Sequence, residues 1–161
     1  MSAFTESWAQ CKMPGPHRID AGDQLMRDIR VQREIIVRAT NEIGSLAKVI
    51  RILSDMGLNL LSVVVRTEGS ETSIHLITGS QSFVRDALRK ADFVVEERDV
   101  LIVELPHYPG FLCRVSEALA RKEIAIDELY ATVAQEGRTG LVVLNCSDNE
   151  RALQALRRHC H

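Results

Sequence analysis

Asn41, Gly44 and Asn59 are the residues of this 161-residue chain whose types and spacing can do chemistry. Gly44 sits where an apolar strand would turn into a helix, and a glycine lets the backbone turn tightly with its amides open to the outside. The first amides of a helix have no partner within it and attract a carboxylate. Asn41, just before that helix, can cap it or turn its side-chain amide toward a ligand. Asn59, fifteen residues after the glycine, opens the next strand and can offer another amide to the same region of a neighbouring subunit. Each residue also has a plainer reading: Asn41 as an ordinary N-cap, Asn59 as a turn residue, Gly44 as a structural hinge.

Nothing in the chain reads as catalytic. There is no G-x-S-x-G, phosphate-binding loop, H-E-x-x-H or dinucleotide glycine pattern. Asp127-Glu128 are adjacent in a strand and face opposite ways, which makes a poor carboxylate pair. Glu96-Glu97-Arg98-Asp99 reads as a solvated junction. His75, between Ile74 and Leu76, reads as a half-buried strand residue rather than a ligand. Cys113 and Cys146 lie among apolar neighbours and read as reduced, buried thiols. His159-Cys160-His161 reads as a tail, because consecutive residues cannot all point at one ion. No metal and no cofactor is expected.

Composition excludes further classes. A net charge of -2 gives no general pull toward nucleic acid or anionic lipid. Aromatic content of 4% is poor for base stacking, and the central strands offer only aliphatics and Tyr130. No run approaches the ~20 apolar residues of a membrane span. The N-terminal MSAFTESWAQCKMPGPHR lacks a basic region followed by an apolar core, so no secretory signal is read and a cytoplasmic location is expected.

The elements that would position Asn41 and Asn59 occur twice. Gly44-Ser45-Leu46 with Val49 and Leu53 returns 66 residues later as Gly110-Phe111-Leu112 with Val115 and Leu119. The first copy predicts a strand over 33–40, a helix with Leu46, Val49, Ile50, Leu53 and Met56 inward, a strand from Leu58 to Arg66, a hairpin at Gly69-Ser70, a return strand Thr72–Thr78, a helix carrying Phe83, Val84, Ala87 and Leu88, and a short strand at Phe93–Val95. The second repeats the order from Val100–Leu105, through a helix with Leu112, Val115, Ala118 and Leu119 inward and a turn at Glu136-Gly137, to a helix with Ala152, Leu153, Ala155 and Leu156. It ends before a fourth strand. The expected fold class is α+β: two tandem ferredoxin-like βαββαβ units, antiparallel sheets with helices on one face, the second lacking its last strand. The expected domains are a tail over 1–31, in which Leu25, Met26 and Ile29 share a short helical face and Trp8 is exposed or docked, then units over 32–98 and 99–161. A unit of ~60 residues buries only roughly 60% of its unfolded surface, so the copies must pack on something. The missing strand leaves Val100–Leu105 as an open edge. Its cover is a partner chain, the N-terminal tail or a homodimer seam, and a homodimer is favoured.

Residues 38–63, RATNEIGSLAKVIRILSDMGLNLLSV, resemble an ACT domain, the small regulatory module that binds amino acids. The match rests on Asn41, Gly44 and Gly57-Leu58-Asn59-Leu60; Ile43 replaces the usual proline. Copy two keeps Pro109-Gly110 but has His107 at the Asn41 position and Ala125 at the Asn59 position. The resemblance covers about residues 33–158. It implies a free amino acid or similar small ligand held by Asn41, Glu42, Ile43, Gly44, Ser45, Leu46 and Asn59, with His107, Tyr108, Pro109 and Gly110 as weaker second-copy equivalents. Paired amides and open backbone groups would meet the ligand's α-carboxylate and α-amino groups.

The expected function is a non-catalytic regulator that binds this ligand at a domain or subunit interface and signals in trans to a partner enzyme. The alternative is a ligand-independent dimerisation or regulatory-subunit module of the same fold. No nucleic acid or membrane partner is expected.

Overall fold

The computed structural model describes residues 28–106, 110–132 and 139–157. Expectations for Trp8, Leu25, Met26, the Glu136-Gly137 turn and the His159–His161 tail fall outside these residues. The described elements are β1 (Asp28–Thr40), α1 (Ser45–Asp55), β2 (Leu60–Glu68), β3 (Glu71–Thr78), α2 (Gln81–Lys90), β4 (Val94–Pro106), α3 (Phe111–Ala120), β5 (Ile126–Thr132), β6 (Thr139–Cys146) and α4 (Asn149–Arg157). The fold is α+β with antiparallel strand pairing. Two compact units arise, Val31–Val100 and a second that joins the described residues from Leu101 onward to Asp28–Arg30.

In the unit Val31–Val100 the strands lie in the order β2-β3-β1-β4. Strand alternation divides β1 between two faces. Ile35 and Val37 enter one core with Ile74 and Leu76 of β3, Val49 and Leu53 of α1, and Val84 and Leu88 of α2. Both helices therefore cover the same sheet face. Glu34 and Ile36 point the other way, as does His75, which is paired with Ile36, and all three are buried.

The helix stripes are narrower than the sequence implies. Leu46 and Met56, expected inward, are 40% and 38% exposed. They occupy the first turn and the C-cap of α1, beyond the strand residues that Val49 and Leu53 cover. Phe83, also expected inward, is 68% exposed, because Val84 and Leu88 fill the face that α2 turns to the sheet.

Two expectations change at the ends of β1 and β4. Residues 93–95 and 100–105 were expected as separate strands around a solvated Glu96–Asp99 junction. They form the single strand β4, and Glu97 and Arg98 within it are partly buried in ion pairs with residues of β1 and α2. Ile29, expected on a helical face, lies in β1 instead.

The unit from Leu101 onward repeats the packing. Leu101, Val103 and Leu105 of β4 pack with Val115, Ala118 and Leu119 of α3, Val142, Leu144 and Cys146 of β6, and Ala152 and Leu156 of α4. Ile29 belongs to this core. β4 pairs antiparallel with β6 from Leu101 to Pro106, and Asp28–Arg30 of β1 belong to the same unit as this stretch. Leu112, expected inward, is 41% exposed, and Phe111 beside it is buried. Asp148 caps α4 by accepting from the Arg151 amide at 2.9 Å.

Candidate functional site

The turn after β1 is built as its residue types require. Gly44 has φ 93° and ends the turn as the N-cap of α1, a left-handed position that a side chain would strain. Gly110 stands at the same place before α3 with φ 94°, so the turn is duplicated in shape. Ser45 is buried at 8% exposure, and its hydroxyl donates to the Thr40 carbonyl at 3.0 Å. The Ser45 amide donates to Glu42 O at 3.2 Å and the Lys48 amide to Gly44 O at 3.0 Å. No side chain caps the helix between them. The start of α1 thus presents uncapped amides in an exposed loop, with Asn41, Glu42, Ile43, Gly44 and Leu46 all open to solvent.

Asn41 is not the N-cap. Its amide donates to Ser70 O at 2.9 Å and its side-chain Nδ2 to Gly69 O at 3.2 Å. The side chain is thereby fixed on the β2–β3 hairpin, and its Oδ1 remains an acceptor. Beside it opens a cleft of about 560 Å³ lined by Arg38, Ala39, Thr40, Ser70, Glu71 and Thr72. Arg38 is held across β4 by both oxygens of Glu96, at 3.2 Å each. That contact keeps the Glu96 carboxyl below the usual range and raises the Arg38 guanidinium.

Asn59 does not join this group within one chain. Its carbonyl accepts from Thr78 Oγ1 at 3.1 Å, at the far end of β3 from Ser70. β3 has 8 residues, and at ~3.3 Å each the two asparagines lie roughly 25 Å apart. Of the second-copy set, Gly110 is described. His107, Tyr108 and Pro109 lie outside the described residues. The buried Phe111 ring, with Arg114 5.6 Å over its centroid, takes the position of Ser45.

A polar cluster that sequence reading missed lies in the same unit. Glu34 is fully buried, accepts from Arg98 Nε, and pairs with His75 Nδ1 at 3.1 Å. His75 Nε2 lies 3.2 Å from the Ser73 hydroxyl. His75 is 6% exposed, more deeply buried than expected. The Arg98 guanidinium also lies 3.3 Å from His75 Nδ1, so Glu34, His75 and Arg98 form one polar network. The available signal was a glutamate heading the apolar run Ile35-Ile36-Val37. A buried carboxylate needs a compensating partner, and Arg98 supplies a cation.

Residues 33–92 match the ACT domain family model. Among curated proteins none matches the chain in sequence. Solved structures share the fold. Protein BT0572 from Bacteroides thetaiotaomicron superposes with a TM-score of 0.76 at 21% identity, over 81% of this chain and 89% of that one. The ligand-free regulatory subunit of aspartate kinase from Thermus thermophilus gives 0.58 at 17% identity, over 84% and 98%. A structure of aspartokinase alpha and beta subunits gives 0.56 at 15% identity, over 83% and 97%. No helix among the described residues is long and apolar enough to cross a membrane.

Proposed function

We propose that this chain is a non-catalytic regulatory protein that binds a free amino acid at the Asn41–Leu46 loop and signals to a partner enzyme in trans. The observation that carries the reading is the uncapped, exposed start of α1 beside a cleft, in a segment that matches the ACT domain. The amides after Gly44 would take the ligand's carboxylate. Asn41 Oδ1, held in place by the hairpin, would take its ammonium. A cytosolic location goes with this reading. One of the similar folds is described as a regulatory subunit of a kinase, which supports action on a separate enzyme.

Asn59 enters this site only from a second copy. β2 is an edge strand of its unit, and Leu61, Val63 and Val65 on it are 45%, 44% and 43% exposed. An exposed apolar edge is normally covered. Antiparallel pairing of β2 with its copy about a twofold axis would carry Asn59 of one chain to the end of the sheet where Asn41 of the other lies. This reading puts the homodimer seam at the β2 edge.

The test is a thermal-shift screen of the full chain against the common amino acids at millimolar concentration, since a ligand of the native state raises the melting temperature by mass action. One or a few amino acids should raise it, and Asn41→Ala and Asn59→Ala should each abolish the rise. A flat screen sinks the sensing reading. The same apolar edge favours the second reading, a ligand-independent dimerisation module, in which the dimer persists in both variants and no amino acid has an effect.

A further inference from the structure

In the unit that begins at Leu101, a small cleft opens between α4 and the turn that follows α3. Its volume is about 170 Å³, and Lys122, Ile124, Arg151, Gln154 and Ala155 line it. The turn is closed by its own backbone. The Lys122 amide donates to Leu119 O at 2.9 Å, and the Ile124 amide donates to the same oxygen at 3.1 Å. Arg151 reaches across from α4 and donates from Nη2 to the Lys122 carbonyl at 3.0 Å. That bond uses one of the five guanidinium donors and holds the group beside Lys122.

The charge of this cleft is not balanced from within. Among the described residues neither Lys122 nor Arg151 is in an ion pair, and the Gln154 carboxamide has no hydrogen-bond partner. No carboxylate among the described residues lines the cleft. Two neighbouring acids are engaged elsewhere: Glu117 pairs with Arg121 at 3.6 Å, and Asp148 accepts from the Arg151 backbone amide at 2.9 Å. Two like charges side by side repel each other, and a bound anion relieves that repulsion.

The lining also says which anion fits. The ammonium, the guanidinium and the carboxamide together offer more N–H donors than the two oxygens of a carboxylate can accept. A phosphoryl group brings three terminal oxygens and a charge close to two negative units at neutral pH, which matches the two cations. The guanidinium fork suits its oxygens as a bidentate partner. The volume is well below the ~300 Å³ at which pockets for drug-sized ligands begin, so it holds a phosphoryl group and a few carbons. Ile124, buried at 5% exposure, and Ala155 give those carbons an apolar floor.

We propose that this cleft binds one dianionic phosphoryl group, free or at the end of a small phosphomonoester, with its oxygens on Arg151, Lys122 and Gln154. The site draws on no residue of the Asn41 loop, and no part of it depends on a second copy of the chain.

The experiment is calorimetric titration of the full chain with inorganic phosphate, glycerol 3-phosphate and acetate at matched ionic strength and neutral pH. The phosphates should bind about tenfold more tightly than acetate, or better. Tighter binding of glycerol 3-phosphate than of inorganic phosphate assigns the site to an ester, and the reverse order assigns it to the free ion. Lys122→Gln and Arg151→Gln should each weaken binding by about tenfold, the loss of one charge-assisted contact. Arg151→Gln also removes the bond to the turn, so Lys122→Gln, which keeps the backbone carbonyl, is the deciding variant. Lys90→Gln removes an exposed cation at the end of α2 and should leave binding unchanged. The proposal is overturned if neither phosphate binds at millimolar concentration, if acetate binds as well as the phosphates, or if Lys90→Gln weakens binding as much as Lys122→Gln.

Discussion

Arg30 donates a hydrogen bond to Glu104 at 3.0 Å, across 74 residues of sequence. The contact joins β1 to β4 within the unit that starts at Leu101, and one residue away Ile29 is buried in that unit's core at 7% exposure. The short segment Asp28–Arg30, which precedes the first repeat, serves the second.

Ile29→Ala should therefore destabilise the unit from Leu101 onward by about 2–4 kcal/mol, the usual cost of emptying a buried isoleucine site. Arg30→Ala should cost no more than about 1 kcal/mol, because the ion pair is a third exposed. Urea unfolding of the two variants checks the ranking. Equal costs would show that the ion pair, rather than the apolar contact, ties the segment down.

Breaking the Glu34–Arg98–His75 network should be more damaging than losing any surface pair. Arg98→Met removes the guanidinium that donates to the fully buried Glu34 carboxylate, at a cost of about 3 kcal/mol. Removing both charges together, Glu34→Gln with Arg98→Met, should recover part of that loss. A double variant less stable than the sum of the single changes would contradict this account.

Gly44→Ala should cost about 1–2 kcal/mol through backbone strain alone, since φ is 93° and nothing lies within 4 Å of an added Cβ. Ligand binding at the loop should weaken as well, because relief of the strain moves the amides of α1. Thermal melts with and without the bound amino acid separate the two effects.

The Cys146 thiol is pushed up to about 11 by burial first and by the nearby Asp127 charge second. A folded value above the unfolded value of about 9 favours the protonated form in the native state. This contribution is fully present below pH ~9 and is lost as pH rises through ~11. Alkaline unfolding in this window should be milder in Cys146→Ala than in the parent. At neutral pH Cys146 should react with a thiol reagent only on unfolding.

Val63→Lys on the β2 edge should leave the chain folded, since Val63 is 44% exposed, and should convert a dimer into a monomer by sedimentation. A monomeric parent chain at micromolar concentration would remove the β2 seam.

The parts legible in the sequence were those written in local pattern. Alternation and 3- to 4-residue spacing marked Ile35, Val37, Val49 and Leu53, and the two glycine turns marked the duplication. What local pattern cannot carry is partnership across the sheet. Asp28–Arg30 look like tail residues because their apolar partners lie beyond residue 100. Glu34 and Arg98 each look like ordinary strand-end charges until the β1–β4 pairing brings them together. Asn41 was legible as a residue of interest, but its hold on the Gly69–Ser70 hairpin follows from β1 lying beside β3, which no local spacing encodes.

The placement of Ile29 also sets an order of events. The residues of the unit Val31–Val100 are contiguous, so it can fold as soon as Val100 has left the ribosome. The unit from Leu101 onward needs a strand segment made some 74 residues earlier, and must close that long loop before its core is whole. Such non-local closure is slow relative to local helix formation. The later unit is then the one that waits, and a chain begun at Val31 would fold it less stably.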